Sequence, residues 1–130
     1  MSYLHHKCLL CIGSNCEAEL HLKKAEKTLD SIFPNIRWGK AVCTPPEGNG
    51  RKGCDYLNRI ASLETAMTEK EVTELMKTIE RKNGRTPADK ETGLVPLDID
   101  LLQYDSQILK PLDFEKEYIR KAMRAFAETS

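Results

Sequence analysis

Neither sign of charge is in excess in this sequence: Lys and Arg total 20, and so do Asp and Glu. A balanced chain has no global attraction to nucleic acid or to an anionic membrane, so any affinity for phosphate must be local. Long hydrophobic runs are missing as well. The longest, Cys8 to Ile12, is far too short to span a bilayer, and the opening MSYLHHK turns polar before a signal-peptide core can form. A cytoplasmic protein with neither membrane nor nucleic-acid partners is the expectation. Internal repeats and low-complexity tracts are also absent.

Metal-binding residues of the zinc type are scarce. Cys8-Leu9-Leu10-Cys11 has the spacing of a redox or metal pair, but no second Cys-x-x-Cys occurs, and His5, His6 and His21 are the only histidines. On a strand, residues i and i+3 face opposite sides, so the two thiols cannot share one ligand sphere there. Buried thiols of a reducing compartment are the expected reading. His5 and His6 are assigned to a flexible N-terminus.

What the sequence does contain is one soluble α+β domain spanning residues 1–130, with 31% charged and 40% hydrophobic residues. KCLLCIG, residues 7–13, reads as a buried strand ended by glycine. Ala18, Leu22, Ala25, Leu29, Ile32 and Phe33 then fall at helical spacing, with Asn15 as the expected N-cap and Pro34 as the stop. Residues 36–44 and 56–66 read as strands, separated by a glycine-rich loop over 47–54. Thr68 and Glu71 form a capping box for a helix carrying Val72, Leu75, Met76 and Ile79, which ends at Asn83-Gly84. A second polar loop over 85–95 leads to a fourth strand. A last helix follows, with Phe114, Ile119, Met123 and Phe126 available for packing. This order, β-α-β-β-α-β with two long loops and a C-terminal helix, is the ferredoxin-like arrangement.

The fourth strand, within PLDIDLLQYD (residues 96–105), carries the most informative oddity. Asp98 and Asp100 lie two positions apart, so their side chains share a face, and Leu102 and Tyr104 continue that face. Aspartate is depleted in strands, and like charges raise each other's pKa unless a cation intervenes. Two carboxylates on one face suit a hard ion such as Mg²⁺, whose remaining ligands are waters and phosphate oxygens. Solvated edge-strand charges, or one aspartate capping the turn after Pro96, are the plain alternative. Gly13-Ser14-Asn15 makes a strand-to-helix turn able to approach an anion, although it is not a Walker A element. Arg81, Lys82, Arg85 and Lys90 collect at the end of the second helix. Among them Arg85, at the mouth of the loop leading to the aspartates, is the plausible phosphate ligand.

Taken in order, IGSN, TPP, DYLN, LET, IE…GR and LDIDLL resemble the 6-hydroxymethyl-7,8-dihydropterin pyrophosphokinase family over residues 8–111. The resemblance implies transfer of diphosphate from ATP to 6-hydroxymethyl-7,8-dihydropterin in folate biosynthesis, with Mg²⁺ as cofactor. It implies Mg²⁺ ligation by Asp98 and Asp100 and pterin recognition by Asn58 beside Thr44 and Pro45. Gly13, Ser14 and Asn15 match the turn near the transferred group. Glu80 and Arg85 match the nucleotide and phosphate side, Arg85 with a catalytic role. The chain departs from the family pattern at five positions. Pro87 and Val95 stand where the family loop carries arginines, and Thr92 replaces a stacking aromatic. Leu112 stands in the usual Pro-His, and Tyr118 falls where a further arginine is expected. Missing arginines remove preorganised charge from the transition state. The resemblance therefore also implies an alternative, an impaired relative that binds nucleotide or pterin as a sensor or partner subunit.

Overall fold

A computed structural model describes residues 5–44, 56–112 and 115–129, without the side chains of Thr44, Lys90, Tyr118 and Thr129. Pro45, the 47–54 loop and Phe114 lie outside the described residues. In chain order the elements are β1 (His6–Ser14), α1 (Ala18–Ile32), β2 (Arg37–Trp38), β3 (Val42–Thr44), β4 (Tyr56–Thr65), α2 (Glu69–Lys82), α3 (Asp89–Thr92), β5 (Asp98–Tyr104), β6 (Gln107–Ile108) and α4 (Glu117–Thr129).

β1 is apolar on both faces, and it takes the central place in the sheet. It pairs antiparallel with β4 on one side and β5 on the other, giving the order β2-β4-β1-β5-β6, with β3 also beside β4. One face packs on α1 and α2 through Leu10, Ile12, Leu22, Leu29, Val72 and Met76. The opposite face packs on α4 through Cys11, Ile60, Leu102, Ile119 and Ala122. Cys8 and Cys11 accordingly lie in different cores, as alternation requires. With β2 and β3 counted as one interrupted strand, the connectivity is the expected ferredoxin-like one. No described helix is long and apolar enough to cross a membrane.

Several local expectations change. The strand over 36–44 breaks in two around Gly39. A Cβ there would stand 2.7 Å from the Phe126 Cα, so glycine lets α4 approach the sheet closely. The cap of α1 is Glu17, in the left-handed region at φ 47 and with no side-chain cap bond, rather than Asn15. The capping box of α2 forms as expected, Thr68 Oγ1 accepting from Glu71 N at 3.2 Å and Glu71 Oε1 accepting from Thr68 N at 2.9 Å.

The register between β1 and β5 shifts by one residue at Leu102, a bulge that turns Tyr104 toward the α1–α2 core while Leu102 stays under α4. Asp98 and Asp100 thus share a face with Leu102 but not with Tyr104. His6 belongs to β1, where its ring stacks on Tyr104 and its Nδ1 meets Asp105 Oδ2 at 2.7 Å. Asp105, at φ 52, turns the chain into β6, a hairpin that hydropathy does not signal because both β6 residues are exposed.

Candidate active site

The strand register lines up the candidate residues. Gly13 of β1 lies opposite Asn58 of β4 and opposite Asp98 of β5, so the three form a row across the sheet. Residues directly opposite share a face, which places Asn58 and Asp98 on the side covered elsewhere by α4. Asn58 is buried, and a Cβ on Gly13 would come within 2.6 Å of its Oδ1 and 3.4 Å of the Tyr56 ring. Glycine is therefore needed here because the Asn58 carboxamide lies over it, not for any special backbone angle. Thr44 pairs with Tyr56 at the end of β3, two residues from the strand position opposite Asn58.

Asp98 and Asp100 stand about 7 Å apart along β5, by strand rise alone. Each carboxylate meets a cation. Arg85 Nη1 donates to Asp98 Oδ1 at 2.9 Å, and Lys110 Nζ donates to Asp100 Oδ1 at 2.7 Å. Burial pushes the Asp100 carboxyl above its ordinary range, the neighbouring Asp98 pushes it further, and Lys110 opposes both. For Arg85, burial works against the charge, but Asp98, Glu80 and Asp89 outweigh it and hold the guanidinium protonated more firmly than usual. Among the described residues no group of three or more His, Cys, Asp and Glu side chains converges as a metal cage. Two carboxylates are what the strand offers.

Glu80 fixes this edge of the sheet. Its Oε2 accepts from the backbone N–H of Ile99 at 2.7 Å and lies 3.6 Å from Arg85 Nη1. One carboxylate thereby joins α2, the loop arginine and the strand residue between the two aspartates. Glu80→Ala leaves the Ile99 N–H without that acceptor and is expected to cost about 1–3 kcal/mol of stability. Glu80→Gln, which keeps an acceptor oxygen, should recover most of it. Urea denaturation of the two variants checks this, and equal losses would refute the backbone role.

The β1–α1 turn and the 85–95 loop are brought together by Ser14 and Asn15. Asn15 Nδ2 donates to Gly93 O at 2.6 Å, Asn15 Oδ1 accepts from Val95 N, and Asn15 N donates to Val95 O at 3.0 Å. The buried Ser14 Oγ also donates to Val95 O, at 3.3 Å. The asparagine read as a helix cap is instead a clamp on the loop. Thr92 Oγ1 accepts from Leu94 N, and Pro87 and Leu112 are exposed.

A cleft of about 490 Å³ opens between α2 and the free edge of β5. Asp98, Asp100, Arg85 and Lys110 line it together with polar residues of α2, among them Lys77 and Glu80, and Met76, Ile99, Leu101 and Leu109 supply apolar wall. Its size lies within the range of small-molecule sites. Lys110 is the residue that the sequence did not single out. Its signal was the missed hairpin: a chain reversing at Asp105 and pairing Gln103 with Ile108 returns position 110 to the side of Asp100.

A family model described as 7,8-dihydro-6-hydroxymethylpterin-pyrophosphokinase (HPPK) matches residues 9–128. A search of curated proteins found no match.

Proposed function

Because this chain belongs to the 7,8-dihydro-6-hydroxymethylpterin-pyrophosphokinase family, we propose that it transfers the terminal diphosphate of ATP to 6-hydroxymethyl-7,8-dihydropterin in folate biosynthesis. The pterin hydroxymethyl oxygen bonds to the β-phosphorus as the bond from that phosphorus to the α-phosphate oxygen breaks, and AMP leaves. The observation that carries this reading is that Asp98 and Asp100, with Arg85 paired to Asp98, line one ligand-sized cleft. The donor set fits Mg²⁺, which takes one or two carboxylates and completes its shell with waters and phosphate oxygens. When bound, Mg²⁺ supplies positive charge against the phosphate oxygens and lowers the electrostatic cost of the transfer.

The chain's own groups do the rest by position. Asp98 and Asp100 hold the metal, and Arg85, fixed by Glu80, Asp89, Asp98 and the Leu97 carbonyl, presents a rigid guanidinium toward the phosphates. Leu109, with the edges of Met76, Ile99 and Leu101, supplies the apolar wall against which the nucleoside would pack. The resemblance assigns Asn58 to the pterin edge and sets Thr44 and Pro45 beside it, and Gly13 leaves the room that the Asn58 carboxamide occupies. Gly13, Ser14 and Asn15 form the turn near the transferred group. Asn15 and Ser14 hold the 93–95 backbone against this turn, which keeps the loop end beside the aspartates.

One set of residues favours a second reading, an impaired relative that binds nucleotide or pterin without turnover. Pro87, Val95 and Leu112 lack the charge that the resemblance expects there. A single assay separates the two. AMP should form with Mg²⁺ and ATP only when the hydroxymethyl-dihydropterin is present. A melting temperature raised by Mg²⁺ and α,β-methylene ATP, with no AMP under any condition, selects the silent binder. No shift and no AMP would sink both.

A further inference from the structure

Lys110 is not part of the family resemblance, yet its ammonium lies 2.7 Å from the Asp100 carboxylate. Its backbone is carried to this point by the β6 hairpin, where the preceding Leu109 N donates to Leu102 O at 2.9 Å. The side chain is 45% exposed while its Asp100 partner is 22% exposed, so the lysine reaches inward from the cleft rim onto a largely covered carboxylate. The two cations of the site differ in kind. Arg85 is tied to a carbonyl and three carboxylates, and its planar fork cannot leave without breaking several contacts. Lysine is a point charge on a four-carbon stem that re-aims easily.

We propose that Lys110 serves this site in two states: counter-ion of Asp100 while the metal is absent, and a phosphate-directed positioning residue once a divalent ion has taken that carboxylate. The proposal rests on the nucleotide-site reading above and extends it to a residue that reading does not use. Charge sets the direction of exchange. An ammonium and a divalent cation compete for one carboxylate, and the divalent ion gains more there once a triphosphate shares it. Displaced from Asp100, the ammonium stays in the lining of the cleft, within reach of incoming phosphate oxygens. The 85–95 loop carries no arginine at Pro87 or Val95, so Lys110 is a cation of this cleft that the loop does not duplicate at those positions. Metal and nucleotide should then bind with strong mutual dependence, because the metal alone must expel a cation that the nucleotide would recruit.

The opposite signs of these two roles give the test. Lys110→Met keeps the apolar stem and removes the charge. Calorimetric titration of this variant should show Mg²⁺ alone binding several-fold tighter than to the parent, because its competitor is gone. The Mg²⁺ complex of α,β-methylene ATP should bind about tenfold or more weakly, the loss expected for one charge-assisted contact. Adenosine affinity should not change, and Lys110→Arg should restore much of the triphosphate affinity. Parent and Lys110→Met binding both ligands alike overturns the proposal, as does equal weakening of both, which would mark a merely structural contact. A parent protein that fails to bind the Mg²⁺–analogue complex at all overturns the nucleotide-site reading itself, and this proposal with it.

Discussion

Asp98→Asn and Asp100→Asn are each expected to lower the rate of AMP formation by about 10²–10³-fold or more, on the scale of removing one preorganised stabiliser from a charged transition state. The substitutions keep shape and remove charge, so secondary structure by circular dichroism should stay that of the parent. For Asp100 the effect on stability has a predictable sign. Its folded carboxyl is raised above the unfolded value by burial and by Asp98. The folded chain therefore binds more protons than the unfolded one between the unfolded carboxylate pKa and the raised folded one. Across that window metal-free stability falls as pH rises, and above it Asp100 remains a destabilising charge. Asp100→Asn should be at least as stable as the parent at neutral pH in chelator, and should flatten this part of the stability–pH curve. Excess Mg²⁺ should reverse the ranking by stabilising only the parent. Retained activity in both variants would remove the metal assignment.

Gly13→Ala gives the second large effect. The added methyl would stand 2.6 Å from the Asn58 Oδ1, on a side chain that is almost fully buried. Nothing nearby is a loose chain end that can swing into water, so the carboxamide must rotate or the β1–β4 pair must part. Either costs about 1–3 kcal/mol, as overpacking does elsewhere. Pterin affinity should fall by tenfold or more, and by more than affinity for the Mg²⁺–nucleotide complex, since the added methyl meets Asn58 rather than Asp98. Fluorescence titration with the pterin substrate and calorimetry with the nucleotide analogue separate the two. Unaltered pterin affinity would mean that Asn58 is a structural amide only.

Much of this fold is legible in sequence because its signals are local. The Thr68–Glu71 capping box, the stripe of Val72, Met76 and Ile79, and the apolar run of β1 each declare themselves within one element. The aspartate pair is legible for the same reason, since alternation along a strand needs no tertiary information. What was not legible depended on partners far along the chain. Asn15 has the profile of a helix cap, and only the arrival of residues 93–95 makes it a clamp. Tyr104 follows the aspartates by alternation, and only the pairing with β1 reveals that the pattern skips at Leu102. Gly39 breaks a strand because Phe126 of the last helix leans on it. Lys110 was hidden behind a hairpin whose two β6 residues are exposed and carry no hydrophobic pattern.

The skipped residue at Leu102 divides β5 into two halves that keep separate phase. The leading half, fixed to β1 through Gly13 and Cys11, aims both acids; the trailing half anchors the hairpin through Tyr104 and Asp105. Changes in the length or sequence of the segment from Asp105 to Lys110 can therefore be absorbed downstream without rotating either carboxylate. The residues brought up beside the acids by this hairpin can change while the acids themselves stay put.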